Sequence, residues 1–315
     1  MGSLILHGGA GSWRDKRIRS EAVRVVEECT RYAWEILGEK DSLSAVVAGV
    51  KCMEDSGVLN AGWGSVLDLL GSRSLDAGVM SSDGLIGAVA AVTATKNPVL
   101  LAMHVAVETP HIIMGGGGAD EYARRLNLPP LPPPPQHVWE RYKEALSKIL
   151  KGEAGTRYGR ELLKYLEANP ELADSLKEIL GVGDTVGAVA LDDEGRLAAA
   201  VSTGGVILKL PGRIGDSPIP GAGFYATEKV ACSSTGWGEE IIKAMPCLKL
   251  SRLVEETSSL DEALDKLMDY VDSRVGKDTM GLIAVDSNGR IGYRYNTRAM
   301  LVAYIDESGR VIVKF

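Results

Sequence analysis

The sequence has little that would suit a nucleic-acid or membrane partner. Acidic residues outnumber basic ones, 42 to 35, and the net charge is −7, so we expect no basic surface for a polyanion or an anionic lipid surface. No apolar run reaches the roughly 18 residues that a membrane-spanning helix needs. The first residues also lack the basic and long apolar regions of a signal peptide. We therefore expect a cytoplasmic protein that binds neither nucleic acid nor membranes.

Cysteine and histidine are scarce and scattered. The four cysteines form no Cys-x-x-Cys motif, and the four histidines share no ligand spacing. We expect buried thiols rather than disulfides or a zinc site. The cysteines are Cys29, Cys52, Cys232 and Cys247.

The side-chain amides are also few. The chain has six asparagines, and Gln136 is its one glutamine. Because these amides are thermolabile, their depletion fits a protein from a hot environment, although a quirk of composition would look the same. In contrast, 37 of 315 residues are glycine, above the usual share of about 7%, which indicates many tight backbone positions.

The hydrophobic pattern predicts an α/β (α+β) protein. The chain can bury a sizeable core, because 45% of its residues are hydrophobic. Three Asp-x-x-Gly-Arg loops, at 192–196, 286–290 and 306–310, each join two strand-like segments and predict antiparallel hairpins. The spacing of apolar residues predicts helices over 15–38, 43–54, 98–107 and 119–126, and two more within 238–276. It predicts strands at 3–7, 64–70, 74–79 and 85–94. This order suggests two packed sheets covered by helices.

Residues 128–183 differ in composition from the rest of the chain. Residues 128–135 are mostly proline, and residues 138–178 are rich in Lys, Glu and Leu. We expect a peripheral, partly helical connector. It could be a plain spacer or a segment freed by cleavage, and these interpretations are compatible.

Two glycine-rich motifs do not support the functions that they suggest. Gly221–Ala226 matches G-x-G-x-x-A, but no clear strand and Rossmann unit surround it. His7-Gly8-Gly9 is similar to the oxyanion turn of esterases, but the chain has no G-x-S-x-G elbow. We therefore expect neither a nucleotide site nor an esterase.

The most informative stretch is 183–238. Counting through the first hairpin places Thr185 opposite Ser202 and diagonal to Thr203, so two threonine hydroxyls lie close together. Pro211–Pro218 is a rigid loop that carries Arg213 and Asp216, a cation and a carboxylate three residues apart. Ser234–Gly238 then supplies a hydroxyl and backbone N–H groups near a helix start, which are donors suited to an oxyanion.

These segments resemble the plant-type L-asparaginase and isoaspartyl aminopeptidase family of N-terminal-nucleophile hydrolases. The matching motifs are Gly-Asp-Thr-Val-Gly ending at 187, Ser-Thr-Gly-Gly at 202–205, Pro-Gly-Arg-Ile-Gly-Asp-Ser-Pro at 211–218 and Thr-Gly-Trp-Gly-Glu at 235–239. Matches at 7–11, 59–64, 75–77 and 109–111 follow the family's order. The resemblance implies an αββα sandwich of two packed, mainly antiparallel sheets in one domain, 1–315.

The resemblance also implies self-cleavage. The bond between Asp184 and Thr185 would be cut by the Thr185 hydroxyl, which gives an α-subunit, 1–184, and a β-subunit, 185–315. The freed α-amine has an ordinary pKa near 8 and can act as the base at neutral pH. One residue would then supply both nucleophile and base, which explains the absence of a histidine partner. No cofactor would be needed for catalysis.

The family's remaining catalytic roles map onto four positions. Thr203 would hydrogen-bond the nucleophile, and Asn60 would belong to the polar network around Thr185. The hydroxyl of Thr235 and the N–H of Gly236 would form the oxyanion hole.

The resemblance assigns the substrate's charged groups to the 211–218 loop. Arg213 would bind the α-carboxylate and Asp216 the α-ammonium of L-asparagine or a β-aspartyl peptide. The rest of the substrate-binding set would be Ile214, Gly215, Thr235, Gly236, Trp237 and Gly238. A glycosylasparaginase-like hydrolase and a non-processing scaffold of the same fold remain alternatives.

Two positions depart from the family pattern. Many members of the family have His or Gly where Asp184 stands. Asp184 makes the cleavage site resemble that of glycosylasparaginase and taspase relatives instead. Trp237 replaces a small polar residue, so it could narrow the leaving-group side of the pocket or form a stacking wall.

The resemblance further implies a structural sodium ion and an oligomer. Backbone carbonyls of Met53, Glu54, Ser56, Leu59, Ala61 and Trp63 would hold the sodium, since hard cations prefer oxygen ligands. A plain surface turn is the alternative for this loop. Family members suggest a homo-oligomer, a dimer of processed heterodimers, that acts on a small-molecule or dipeptide substrate.

Overall fold

The strands and helices of the chain are defined here from a computed structural model that describes residues 2–11, 16–153, 157–169, 185–257 and 259–315. The strands are β1 (Ser3–Gly11), β2 (Leu75–Ser81), β3 (Ile86–Val92), β4 (Ile113–Gly115), β5 (Val186–Leu191), β6 (Leu197–Thr203), β7 (Phe224–Ala226), β8 (Val230–Gly236), β9 (Met280–Asp286), β10 (Ile291–Tyr295), β11 (Ala299–Ile305) and β12 (Val311–Lys314). The helices are α1 (Lys16–Glu39), α2 (Ser42–Asp55), α3 (Pro98–Glu108), α4 (Gly116–Arg125), α5 (Gln136–Leu150), α6 (Arg157–Glu167), α7 (Gly238–Ala244), α8 (Pro246–Glu256) and α9 (Leu260–Val275).

The strands form two sheets. The larger sheet has the order β12-β11-β1-β5-β6-β2-β3-β4, and the smaller one has the order β10-β9-β8-β7. All strand pairs are antiparallel except β3 and β4, which are parallel. A single bulge between His7 and Gly9 interrupts the pairing of β1 with β11.

Side chains that point alternately to the two faces of each strand explain the four layers of the fold. In β1, Leu4 and Leu6 face a core shared with α1, α2 and α3, while Ile5 faces a core shared with the smaller sheet. The other face of the smaller sheet packs on α7, α8 and α9. Because both faces of each sheet are covered, the central strands β1, β2, β5, β6, β8 and β9 are buried on both sides. The expected αββα sandwich is confirmed.

Local turn chemistry fixes the hairpins and the helix starts. Asp192, Asp286 and Asp306 each accept the backbone N–H of the arginine four residues later, at 2.9, 2.9 and 3.0 Å. The three predicted hairpins are confirmed. Asp41 accepts the N–H of Ser44 at 2.7 Å and caps α2, a common role of aspartate just before a helix.

Two predicted elements are wrong. Residues 64–70 are not a strand: Gly62–Gly64 forms one 3-10 turn, and an irregular loop follows it. The expected two helices within 238–276 are wrong in number, because Pro246 begins a separate helix, and proline suits the first helical turn. Residues 238–276 therefore hold three helices.

The expectation of free buried thiols is also wrong. Cys29 on α1 and Cys52 on α2 form a disulfide with a Cα–Cα distance of 5.5 Å. Cys232 on β8 and Cys247 on α8 form a second one at 5.4 Å. Residues distant in sequence reach the spacing that a disulfide needs only through helix–helix and helix–sheet packing. Spacing along the chain carried no sign of this.

The connector contacts the body of the protein more closely than expected. Helices α5 and α6 share an apolar cluster with Leu67, Leu69 and Leu208. Tyr158 of α6 donates its hydroxyl to the carbonyl of Leu208 at 3.2 Å. Residues 154–156 and 170–184 of the connector lie outside the described residues. No helix in the described part of the chain combines the length and apolar character needed to cross a bilayer.

Candidate active site

The hairpin of β5 and β6 brings two threonine hydroxyls together. Leu191 pairs with Leu197 and Val186 with Ser202, so the register places Thr185 opposite Thr203. The predicted partner, Ser202, is wrong by one residue. Leu191 pairs with Leu197 rather than with Arg196, so five residues rather than four separate the two strands. The Thr185 and Thr203 Oγ1 atoms are 2.9 Å apart. The predicted contact between these hydroxyls is thus direct.

The loop after β6 is held from two sides. Thr203 Oγ1 accepts the N–H of Gly205 at 2.9 Å, and the Asn60 amide donates to the carbonyl of Gly205 at 2.8 Å. Asn60 Oδ1 in turn accepts the N–H of Val66 at 2.9 Å. Asn60 therefore fixes the loop that supports Thr203, which places it in the polar network around Thr185.

Strand β8 ends in the predicted oxyanion residues. Thr235 and Gly236 line the same pocket as Thr185, together with Ala10 of β1. The Ala10 N–H points at Thr235 Oγ1, 3.4 Å away. Gly236 has a φ of 143°, and a Cβ there would lie 2.3 Å from the carbonyl of Thr279. Only glycine fits this close approach.

Arg213 and Asp216 converge on one glycine of the same pocket. A Cβ at Gly238 would lie 2.7 Å from Arg213 Nη2 and 2.8 Å from Asp216 Oδ1. All three residues line the pocket with Thr185, Thr203 and Gly205. Arg213 and Asp216 thus lie too close to the Gly238 backbone for any side chain there. They set a cation and a carboxylate side by side in the pocket, which is the arrangement that a zwitterionic α-amino acid needs.

Burial affects the pKa of both Asp216 and Arg213. Burial raises the pKa of Asp216 to about 7, although the nearby Arg213 charge opposes the shift. Asp216 Oδ2 has no hydrogen-bond partner within the described residues. Burial alone would lower the pKa of Arg213, but its hydrogen bonds to Glu239 and the nearby carboxylate charges together outweigh this, and the net shift in pKa is upward. The site therefore places the charged Arg213 guanidinium near Asp216, whose Oδ2 atom has no hydrogen-bond partner within the described residues.

Comparison with known proteins agrees with this geometry. A family model described as asparaginase matches residues 2–313. The chain belongs to this asparaginase family. It is 43% identical to a plant-type L-asparaginase of Pyrobaculum calidifontis, over 95% of each chain. It is 36% identical to a plant-type L-asparaginase of Pyrococcus abyssi, over 98% of this chain and 97% of the relative. A mouse (Mus musculus) isoaspartyl peptidase/L-asparaginase is 37% identical, over 91% of this chain and 82% of the relative.

Three residues assigned by resemblance to the asparaginase family lie beside the pocket rather than in its lining. Ile214 is 43% exposed, and Gly215 backs onto Arg213 Nη1. The Trp237 ring lies against the Arg157 guanidinium, 4.4 Å from the ring centroid. Their roles in substrate binding stay predictions. Asp184, on the predicted cleaved bond, lies outside the described residues.

The sequence reasoning missed two charged residues of this asparaginase-family site. Glu239, in the first turn of α7, accepts two hydrogen bonds from the Arg213 side chain, each of 2.9 Å. Lys209 is fully buried and donates to the carbonyl of Ser74 at 2.8 Å. A Cβ at Gly205 would lie 3.0 Å from Lys209 Nζ and 3.1 Å from Arg213 Nη1. One sign of the role of Lys209 was present in the sequence, namely that this lysine interrupts the apolar run 206–210.

The loop expected to bind sodium is tightly folded. Carbonyls of Met53, Leu59 and Ala61 accept N–H groups within the loop. The Trp63 carbonyl instead accepts the Arg73 guanidinium at 2.8 Å, and a cation is a poor neighbour for a metal ion. The Met53 carbonyl also accepts the Ser56 hydroxyl at 2.7 Å. The carbonyls of Leu59 and Ala61 each keep a second lone pair, so they fit a hard cation better than those of Met53 and Trp63 do. The Glu54 carboxyl group is not a ligand candidate, because it is buried and already accepts hydrogen bonds from Asn97 and Val99.

Proposed function

We propose that the chain is a precursor that cuts itself before Thr185 and then hydrolyses L-asparagine and β-aspartyl peptides. One observation carries the proposal: the Thr185 hydroxyl lies 2.9 Å from that of Thr203, in a pocket where Arg213 and Asp216 meet at Gly238. A nucleophile therefore stands next to a subsite for a carboxylate and an ammonium group. The relatives named L-asparaginase and isoaspartyl peptidase support this substrate class.

The first step frees the base. The Thr185 hydroxyl attacks the carbonyl carbon of residue 184, the C–N bond breaks, and the acyl group moves from nitrogen to oxygen. Water hydrolyses this ester, which leaves a carboxylate at 184 and a free α-amine on Thr185. That amine, with an ordinary pKa near 8, can take the hydroxyl proton in the second reaction. The segment 1–184 then forms one subunit and 185–315 the other.

The second reaction uses the same hydroxyl. Thr185 Oγ1 attacks the side-chain carbonyl of the substrate and passes its proton to the α-amine. The Thr235 hydroxyl and the Gly236 N–H stabilise the negative oxygen that forms. The amine returns the proton to the leaving group, which departs as ammonia or as the amine of a peptide. Water then hydrolyses the aspartyl ester and releases aspartate.

Recognition of the substrate rests on the two fixed charges. The Arg213 guanidinium takes the α-carboxylate through paired hydrogen bonds, and the Asp216 carboxylate takes the α-ammonium. The pair also selects L-aspartyl groups attached through the side chain, because an ordinary peptide bond would consume the α-carboxylate or the α-amine. Thr203 and Asn60 hold the loop and the nucleophile in place.

A structural sodium ion in the loop of residues 53–63 is part of the proposal, with the carbonyls of Leu59 and Ala61 as its best ligands. It would hold the Asn60 loop, and no chemical step uses it. The reaction itself needs no cofactor.

The test of the proposed function is a substrate panel on the purified, incubated protein. We expect ammonia and aspartate from L-asparagine, and aspartate with a free amino acid from β-aspartyl dipeptides. Release from a glycosylated asparagine alone would contradict the proposal and would favour a glycosylasparaginase. A protein that stays one chain and hydrolyses none of these would be a scaffold.

A further inference from the structure

The Arg213 guanidinium is held on one edge before any substrate arrives. Its Nε and Nη2 atoms each donate to one oxygen of the Glu239 carboxylate, at 2.9 Å in both cases. Arg213 is largely buried, with 14% of its side chain exposed, whereas Glu239 has 37% exposed. Such a planar pair fixes both the position and the rotation of the guanidinium.

The other edge of the guanidinium faces the pocket. Three of its five N–H groups remain, two on Nη1 and one on Nη2. A Cβ at Gly205 would approach Nη1 to 3.1 Å, and a Cβ at Gly238 would approach Nη2 to 2.7 Å. Both glycines line the pocket. The end-on Nη1/Nη2 edge is therefore the edge that a carboxylate in the pocket would meet.

The contacts of Glu239 orient it toward Arg213. Glu239 stands in the first turn of α7, a place where the helix dipole stabilises a carboxylate. Burial raises the pKa of Glu239, but the hydrogen bonds and charge of Arg213 outweigh this, so its net pKa is lowered. Tyr158 of α6 also lies close enough for the charges of Arg213 and Glu239 to shift its pKa in opposite directions. Tyr158 therefore lies near the ion pair.

We infer that Glu239 is a positioning residue for substrate recognition: it clamps Arg213 side-on so that the end-on edge is preset for the substrate's α-carboxylate. This inference rests on the proposed function, because it takes that carboxylate as the group that Arg213 binds. Glu239 itself touches no substrate. Its effect is to remove the freedom of Arg213 to rotate away or to pair with Asp216, which would leave the ammonium subsite neutralised.

The test compares Glu239→Ala and Glu239→Gln in the processed, full-length protein. We expect Glu239→Ala to raise KM for L-asparagine about tenfold or more, with kcat changed less than about threefold, since hydrogen bonds between charged groups are lost but the nucleophile is not. Glu239→Gln keeps one acceptor oxygen and should fall between Glu239→Ala and the parent. Self-cleavage should proceed in both variants, because it uses no free substrate.

The control is Glu255→Ala, which removes a carboxylate from an exposed ion pair with Arg252 on α8. It should leave KM unchanged. A melting temperature for each variant shows whether folding is affected, and Glu239→Gln keeps the test valid if Glu239→Ala is poorly folded.

A double-variant comparison separates positioning through Arg213 from a general structural role. If Glu239 acts through Arg213, adding Glu239→Ala to Arg213→Lys should raise KM by much less than it does in the parent. Equal fold-changes in the two backgrounds, or a fall in kcat with KM unchanged, would overturn the inference. A parent protein that does not hydrolyse asparagine would instead refute the proposed function, so the two failures are distinct.

Discussion

Arg213 is a residue where shape matters as much as charge. Its guanidinium is fixed by Glu239 and presents a planar edge to the pocket. Lysine has the same charge but only a point-like ammonium group. The site therefore predicts that a charge-conserving change is costly.

We expect Arg213→Lys to lower kcat/KM for L-asparagine by about 1.5–3 kcal/mol, the usual value of a hydrogen bond to a charged group. Self-cleavage should remain normal, as judged by two bands on a denaturing gel. Steady-state kinetics of the processed variant measure the effect. An unchanged kcat/KM with normal processing would show that Arg213 is merely structural.

Asp216 predicts a pH dependence of binding. Its pKa is raised to about 7, so the carboxyl group takes up a proton as the pH falls through 7 and loses its attraction for an ammonium group. Inhibition by L-aspartate should therefore weaken by about tenfold between pH 8 and pH 6. Succinate, which has no ammonium group, should not weaken. Equal pH dependence of the two inhibition constants would contradict this role.

At the scale of elements, the start of α7 meets the connector. Trp237 caps α7, and its ring lies against Arg157 of α6. Arg157 also approaches the Glu240 carboxylate at 3.3 Å. The indole thus lies against a helix of the connector, and Trp237 stands in sequence between Gly236 and Gly238 of the pocket lining.

Trp237→Thr tests whether the indole limits the leaving group. If it does, the ratio of kcat/KM for β-Asp-Leu to that for asparagine should rise about tenfold, since one steric conflict is worth 1–3 kcal/mol. If the ring serves packing alone, removal should cost roughly 3–5 kcal/mol of stability and lower both rates alike. A thermal melt beside the two rate measurements decides between them. An unchanged ratio in a well-folded variant would refute the pocket-wall hypothesis.

The disulfide between α1 and α2 gives a second prediction at this scale. Cys29 and Cys52 are separated by 23 residues, and closing a loop of that order stabilises a protein by about 3 kcal/mol. The Cys29→Ala/Cys52→Ala variant should lose about that much unfolding free energy in denaturant titrations, with asparagine kinetics unchanged at moderate temperature. Reductant should destabilise the parent further than this variant. Equal stability of variant and parent would show that the bond does not form.

Local chemistry decided which elements the sequence could predict. The aspartates of the Asp-x-x-Gly-Arg loops bond nearby backbone groups, so the hairpins were predictable. The exact pairing of Thr185 was not, because one more residue in the loop shifts the register. Glu239 and Lys209 became visible only when distant loops met at Arg213 and Gly205. Cysteine pairing failed for the same reason, since it depends on packing between elements.

The whole molecule interleaves the two proposed subunits. In the larger sheet, β1 lies between β11 and β5, and β2 pairs with β6. The proposed cut before Thr185 would therefore leave strands of each piece hydrogen-bonded to strands of the other. We expect a native mass that is unchanged by processing, together with two chains on a denaturing gel. Pieces that separate without denaturant would contradict this architecture. Assembly into a dimer stays a prediction.

The most direct test of the account is the intact mass of both chains after incubation, for the parent and for Thr185→Ala, alongside ammonia release from L-asparagine. We predict that the parent yields a chain that begins at Thr185 and releases ammonia, while Thr185→Ala stays a single chain without activity, because one hydroxyl performs both steps. Cleavage at another bond, or turnover by Thr185→Ala at the parent's rate, would contradict the assignment of Thr185 as the nucleophile.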